Sequence, residues 1–158
     1  MTTQQQEIHI ARGLKDVYFD VTEASDVDGH RGVLIYRGYN IHDLAERSTF
    51  EEVIYLLLYG KLPTRRQLEE LDRLLKAERE LPQEVYRIIE LTKAAHPMDV
   101  LRTAVSALSA WDPEVNDNSE EATIRKGLRL TAKAPTIVCA HDRIRNGTQQ
   151  PVTHVVVA

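Results

Sequence analysis

The side chains that could do chemistry are scattered along this chain. Histidines stand at 9, 30, 42, 96, 141 and 154, and none is paired at the HxxxH or HExxH spacing that sets two imidazoles on one helix face around zinc. Asp26-Val27-Asp28-Gly29 begins like a calcium loop, but a third acidic ligand is missing and Arg37 stands where the bidentate glutamate belongs. Cys139 and His141 would make a thiol and base, yet residues i and i+2 face about 200 degrees apart on a helix, which favours a core cysteine. Arg125, Arg129 and Lys133, with Lys126 alongside, form a basic stripe at i, i+4, i+8. Such a stripe fits phosphate or nucleic acid, and equally an ion-pairing or solvated face. Asn146-Gly147-Thr148 matches a glycosylation acceptor, which is idle without export. There is no glycine-rich phosphate loop, no G-x-S-x-G and no arguable carboxylate pair. Spacing therefore assigns no catalytic, cofactor-binding or metal-ligating residue, and no cofactor is expected.

The elements that would carry these residues are mostly helical. Asn40 with Asp43, Ser48 with Glu51, Thr64 with Gln67, and Asn118 with Glu121 each pair a capping residue with an acceptor three positions on. Together with hydrophobic periodicity they predict helices over 41–47, 50–59, 64–80, 83–94, 97–111 and 119–145. Gly60 and Pro63 end the second of these, and Pro135 is expected to kink or divide the last. The segment from His96 to Trp111, HPMDVLRTAVSALSAW, is apolar or small nearly all the way round. Pro97 suits the first turn and Asp99 complements the helix dipole. A helix covered on several sides follows, with Leu101, Ala104, Val105, Ala107, Leu108 and Trp111 as its interface residues and self-association through 97–111 as the consequence. Val17–Val21 and Val33–Tyr36, separated by the turn chemistry of residues 28–32, predict a small hairpin within 16–37.

Composition sets the outer bounds. A chain of 158 residues makes one domain with a sizeable core. Its net charge of −4 argues against general nucleic-acid or anionic-membrane binding. The lone Cys139 excludes an intrachain disulfide and agrees with a reducing cytoplasm. No apolar run approaches the roughly 20 residues of a membrane span. Residues 1–12 read as a polar lead-in, 13–152 as the helical domain and 153–158 as a divergent, valine-rich tail.

Several blocks of residues, in order and at consistent spacing, resemble the citrate synthase family. They are Gly13-Leu14, Ser25 to Gly29, Leu34-Ile35-Tyr36-Arg37-Gly38-Tyr39, Phe50-Glu51-Glu52-Val53 through Leu57-Leu58-Tyr59-Gly60 to Leu62-Pro63, His96-Pro97-Met98-Asp99 with Leu101-Arg102, and Pro135-Thr136-Ile137-Val138 leading to Arg143-Ile144. The resemblance is to the N-terminal part of the bacterial and archaeal type, which includes 2-methylcitrate synthases, and it lapses after Pro151. It implies a citrate-synthase-like helical domain, incomplete here, from a homodimeric enzyme that condenses acetyl-CoA with oxaloacetate and hydrolyses the thioester to citrate and CoA. In that family the catalytic motifs lie in the second half of the chain, so no catalytic residue is carried over, and His96 corresponds to the start of the central helix.

Three expectations follow from the resemblance. The chain is a truncated synthase, inactive alone; or a helical interaction module that dimerises or complements a C-terminal or full-length synthase chain; or a small helical binding protein. Acetyl-CoA and oxaloacetate enter only through the family.

Overall fold

The computed structural model describes residue 13 and residues 20–148. The lead-in 1–12 and the tail 153–158 lie outside them. Among the described residues the architecture is mainly α with one small sheet, as expected. The elements run β1 (Ser25–Asp28), β2 (Val33–Tyr36), β3 (Tyr39–Asn40), α1 (Ile41–Arg47), α2 (Phe50–Tyr59), α3 (Arg65–Ala77), α4 (Gln83–Thr92), α5 (Pro97–Ala107), a 3-10 turn (Leu108–Trp111) and α6 (Glu120–Arg145).

The three strands form an antiparallel meander, with Asp28 opposite Val33 and Tyr36 opposite Tyr39. The first strand lies at 25–28, whereas the sequence pattern placed it at Val17–Val21. Positions 17–19 of that stretch fall outside the described residues, and Val21 is 91% exposed outside any strand. Asp28 decides the register: its carboxylate accepts from the backbone of His30 and of Arg31, each at 3.0 Å. That closes the turn at once and makes residues 25–28 the direct partner of β2. The sheet also runs past 37, because Arg37 (φ 47°) and Gly38 (φ 87°) make a two-residue turn with both φ positive. Arginine is an uncommon residue there. Its guanidinium is held by the Leu57 carbonyl at 3.2 Å and by Glu23 at 3.4 Å, which ties the sheet to the end of α2.

Helix starts follow capping chemistry, with two corrections of one residue. Asn40 and Thr64 cap α1 and α3 as expected. The cap of α2 is Thr49 and not Ser48, because Glu52 reaches back to the Thr49 amide at 2.7 Å while Ser48 closes α1 onto the Leu44 carbonyl. Likewise Ser119, not Asn118, caps α6 by accepting from the Ala122 amide. His96 caps α5 with its ring nitrogen, 3.3 Å from the Met98 amide, and Pro97 follows it. Gly60 ends α2 in the left-handed conformation at φ 76°. α3 stops at Ala77 and α4 at Thr92, each short of the expected end.

Pro135 does not divide α6, which runs unbroken from Glu120 to Arg145. The proline is exposed, so its ring crowds no neighbouring helix, and buried Ala132 and Ile137 anchor the helix on either side of it. Two core clusters meet along this helix. Leu71 and Leu75 pack with Leu128 and Ala132, and Ile54, Tyr55 and Leu58 of α2 lean on them. Val85, Ile89, Val100, Ala104 and Leu108 pack with Ile137 and Ala140. Among the described residues α5 and the 3-10 turn after it are covered on one side: Val100, Ala104 and Leu108 face inward, while Arg102, Thr103, Ser106, Ser109 and Ala110 are exposed. The described residues of one chain thus leave the other side of α5 open.

The Thr49 cap gives a direct test. Replacing Thr49 by Ala should cost about 0.5–2 kcal/mol in denaturant unfolding, whereas Ser48→Ala should stay within about 0.5 kcal/mol.

Candidate functional site

The basic stripe on α6 is engaged in pairing. Arg129 donates to both carboxylate oxygens of Asp112, at 2.8 and 3.1 Å, and to Glu114 at 2.8 Å. Arg125 Nε donates to Glu114 at 2.9 Å. Lys133 donates to the Glu78 carbonyl and approaches its carboxylate at 3.3 Å, and Lys126 donates to the Asp117 carbonyl. Of the two accounts the stripe allowed, ion pairing is the one the geometry bears out. Arg129, Asp112 and Glu114 have side chains only 18%, 20% and 23% exposed, so their mutual contacts are partly shielded from water. The Nε of Arg129 is buried without a partner, as is that of Arg37.

The pairs flank a half-open groove of about 550 Å³ between the α3–α4 connection, the 3-10 turn and α6. Its apolar part comes from Leu81, Pro82, Leu108, Trp111, Pro113 and Leu130, with Glu78, Asp112, Arg129 and Lys133 at its sides. The hydrogen bonds from Arg125 and then Arg129 hold the Glu114 carboxyl at about 2, far below the ordinary value. The Arg125 guanidinium is raised in turn, chiefly by its hydrogen bond to Glu114. Burial alone would lower Arg129, but its hydrogen bonds to Glu114 and Asp112 more than offset this and raise it. A carboxylate held this acidic is a poor proton acceptor at neutral pH, where general bases work best near the operating pH. In the groove wall Arg129 pairs with Asp112 and Lys133 with Glu78, and Glu80 lines it as well.

The other candidates stand apart. His30 and His42 are exposed and His96 is a cap. His141 is buried, and its Nε2 donates to the Lys93 carbonyl at 3.2 Å, joining α6 to the end of α4. His9 and His154 lie outside the described residues. Cys139 is a half-buried free thiol. Asp28 is taken up by its turn and by Arg31, and Asp99 pairs with Arg102 at 3.1 Å. Among the described residues no group of histidines, cysteines and acids is arranged for a metal, and no helix is long and apolar enough to cross a membrane.

Of the expected interface residues, Ala104 and Leu108 belong to the chain's own core, Leu101 and Val105 pack against it, Ala107 is half-buried and Trp111 is 43% exposed. Sequence inspection missed Asp112, Glu114 and Glu78, because they lie 11 to 55 residues from their cationic partners and nothing local marks such pairs.

With this helical scaffold in view, comparison with known proteins is decisive for the family. The family model described as citrate synthase, C-terminal domain, matches residues 13–156. Citrate synthase 2 of Bacillus subtilis is 43% identical over 143 residues, covering 87% of this chain and 37% of the relative. The 2-methylcitrate synthase of Shewanella oneidensis is also 43% identical over 143 residues, with the same coverage. Among solved structures, the citrate synthase of Pyrobaculum aerophilum superposes with a TM-score of 0.82 at 37% identity, over 97% of this chain and 43% of that one. The chain belongs to the citrate synthase family. It spans about two fifths of the length of the relatives it matches.

The Glu114 network makes stability depend on acid. Glu114 has a folded value near 2 against an ordinary 4.5, so its contribution is complete above pH 4.5 and is lost as pH falls toward 2. Denaturation midpoints of the native chain should fall across that window, and Glu114→Gln should flatten the decline. An unchanged slope in the variant would count against the network.

Proposed function

We propose that these residues are the leading helical portion of a citrate synthase subunit, and that this segment supplies scaffold and subunit contacts without turning over substrate alone. The observation that carries the proposal is the coverage: nearly nine tenths of this chain matches only 37% of each relative. The whole enzyme would condense an acyl-CoA with a 2-oxo acid. That chemistry needs a base for a weakly acidic carbon, a donor for the enol oxygen and cations for the carboxylates. Here Arg129 is committed to Asp112 and Glu114 and Lys133 to Glu78, and Asp26, Asp28 and Asp99 sit apart from the groove on the sheet and α5. Equal identity to a citrate and a 2-methylcitrate synthase leaves acetyl-CoA and propionyl-CoA as parallel candidates.

A second function, subunit association through α5, is favoured by a specific feature. Thr103, Ser106 and Ala110 form an exposed face of small side chains beside half-buried Ala107 and exposed Trp111, a surface on which another helix can approach closely. The partner would be a second copy or a complementary synthase chain. The single free cysteine and the net charge of −4 accord with a cytoplasmic setting and argue against nucleic acid.

The assay is thiol release from acetyl-CoA or propionyl-CoA with oxaloacetate, using the purified chain free of host synthase. No turnover above background is expected, since even one preorganised donor is typically worth about 2.7–4 kcal/mol of barrier. Oxaloacetate-dependent turnover that scales with this protein would overturn the proposal. Activity restored by a separately made C-terminal segment would support complementation. For association, light scattering at tens of micromolar should show a species heavier than 18.0 kDa. Ala107→Arg should shift it to monomer, an unpaired buried charge costing about 3–5 kcal/mol; a wild-type chain that is already monomeric would contradict the α5 interface.

A further inference from the structure

The motif Asn146-Gly147 takes no part in the pairing network or the groove, and its placement gives it a chemistry of its own. Asn146 caps the C-terminal end of α6 and Gly147 follows with φ 69°. Thr148 N donates to the Arg143 carbonyl at 3.0 Å and Gly147 N to the Ile144 carbonyl at 3.3 Å, the paired closure of a Schellman end. The Asn146 side chain is exposed, and its Nδ2 donates to Asp142 at 3.1 Å. Of the asparagines at 40, 116, 118 and 146, only the last precedes a glycine; the others precede Ile41, Asp117 and Ser119. Without a Cβ at 147, the backbone nitrogen can approach the neighbouring side-chain carbonyl unhindered.

We propose that Asn146 is a site of spontaneous modification, at which succinimide formation and hydrolysis unfasten the end of α6. Gly147 N attacks Asn146 Cγ; the N–Cγ bond forms, the Cγ–Nδ2 bond breaks, and the Gly147 amide proton leaves with the amide nitrogen as ammonia. Water then opens the ring at either carbonyl, giving aspartate or isoaspartate. Water is the sole co-reactant. The closed end restrains the reaction, since Gly147 N is engaged with Ile144, so the attack proceeds when the last turn opens. Helix termini are where such opening costs least.

The product reverses the local electrostatics. A donor to Asp142 becomes a second carboxylate four residues along, at the negative end of the helix dipole. Arg145, already 3.6 Å from Asp142, then faces two anions. In the isoaspartyl product the main chain gains a carbon, which displaces Gly147 and Thr148 from the carbonyls they close upon. Both routes loosen the junction between α6 and the residues that follow.

The test incubates the whole folded chain at mildly alkaline pH, separates the more acidic form by ion exchange and maps it by peptide mass spectrometry. The expected result is a first-order gain of the amide-to-acid mass confined to the Asn146 peptide. Its rate should rise in proportion to hydroxide, and the product should contain both aspartate and isoaspartate. Asn146→Gln should abolish the acidic form, and amides of residues 146–148 should exchange at least about tenfold faster in the converted fraction. Aspartate without isoaspartate would exclude the ring. An amide retained in the folded chain while a denatured control converts would show that the helix end blocks attack, and conversion favouring Asn116 or Asn118 would refute the site. Unchanged exchange in the converted fraction would overturn the loosening.

Discussion

Burial of one face of α6 is the constraint on which the rest of the structure depends. Among the described residues α6 alone contributes to both core clusters, with Leu128 and Ala132 against α3, and Ile137 and Ala140 against α4 and α5. Fully burying a side chain the size of Ile137 contributes about 1.5–3 kcal/mol. An exposed ion pair such as Arg66–Glu70 contributes at most about 1 kcal/mol. Apolar burial therefore sets the helix arrangement, and the charges on the other side of α6 set where its connecting loops lie. The unbroken course of α6 through Pro135 follows from the same balance: losing one backbone hydrogen bond is offset by core contacts on either side of the proline.

The ion network and the groove are consequences of that scaffold. Once α6 is docked, Arg125 and Arg129 stand beside the loop after the 3-10 turn, and Asp112 and Glu114 close onto them. Lys133 holds the end of α3 in the same way through Glu78. The groove between these latches is lined by apolar side chains such as Leu81, Leu108 and Trp111, by the paired Asp112, Arg129, Glu78 and Lys133, and by Glu80.

Much of the fold was legible in the sequence because its signals are local. Capping pairs such as Thr64 with Gln67 lie within one turn, and the period of Val53, Ile54, Leu57 and Leu58 needs no partner to be seen. The one-residue slips at Ser48 and Asn118 have a single cause: two adjacent residues could each cap, and the reach of one side chain, Glu52 or the Ser119 hydroxyl, chose between them. The strand at 25–28 was missed because β-branched content at 17–21 outweighed the turn-forming carboxylate of Asp28, whose two hydrogen bonds fix the neighbouring strands. The pairing partners of the basic stripe were not legible at all, since contacts across 11 to 55 residues exist only after the helices pack. For α5, the small side chains of its exposed face pointed to close packing, but sequence alone could not say which side the chain's own core would take.

The central claim is that α6 joins two cores into one cooperative unit. Amide hydrogen exchange across a denaturant series measures this at buried positions of α3, such as Leu75, and of α4, such as Ile89. The account predicts that both sets merge into one unfolding isotherm with a common free energy and denaturant slope. Separate isotherms, with α2 and α3 opening while α4, α5 and α6 remain closed, would contradict it.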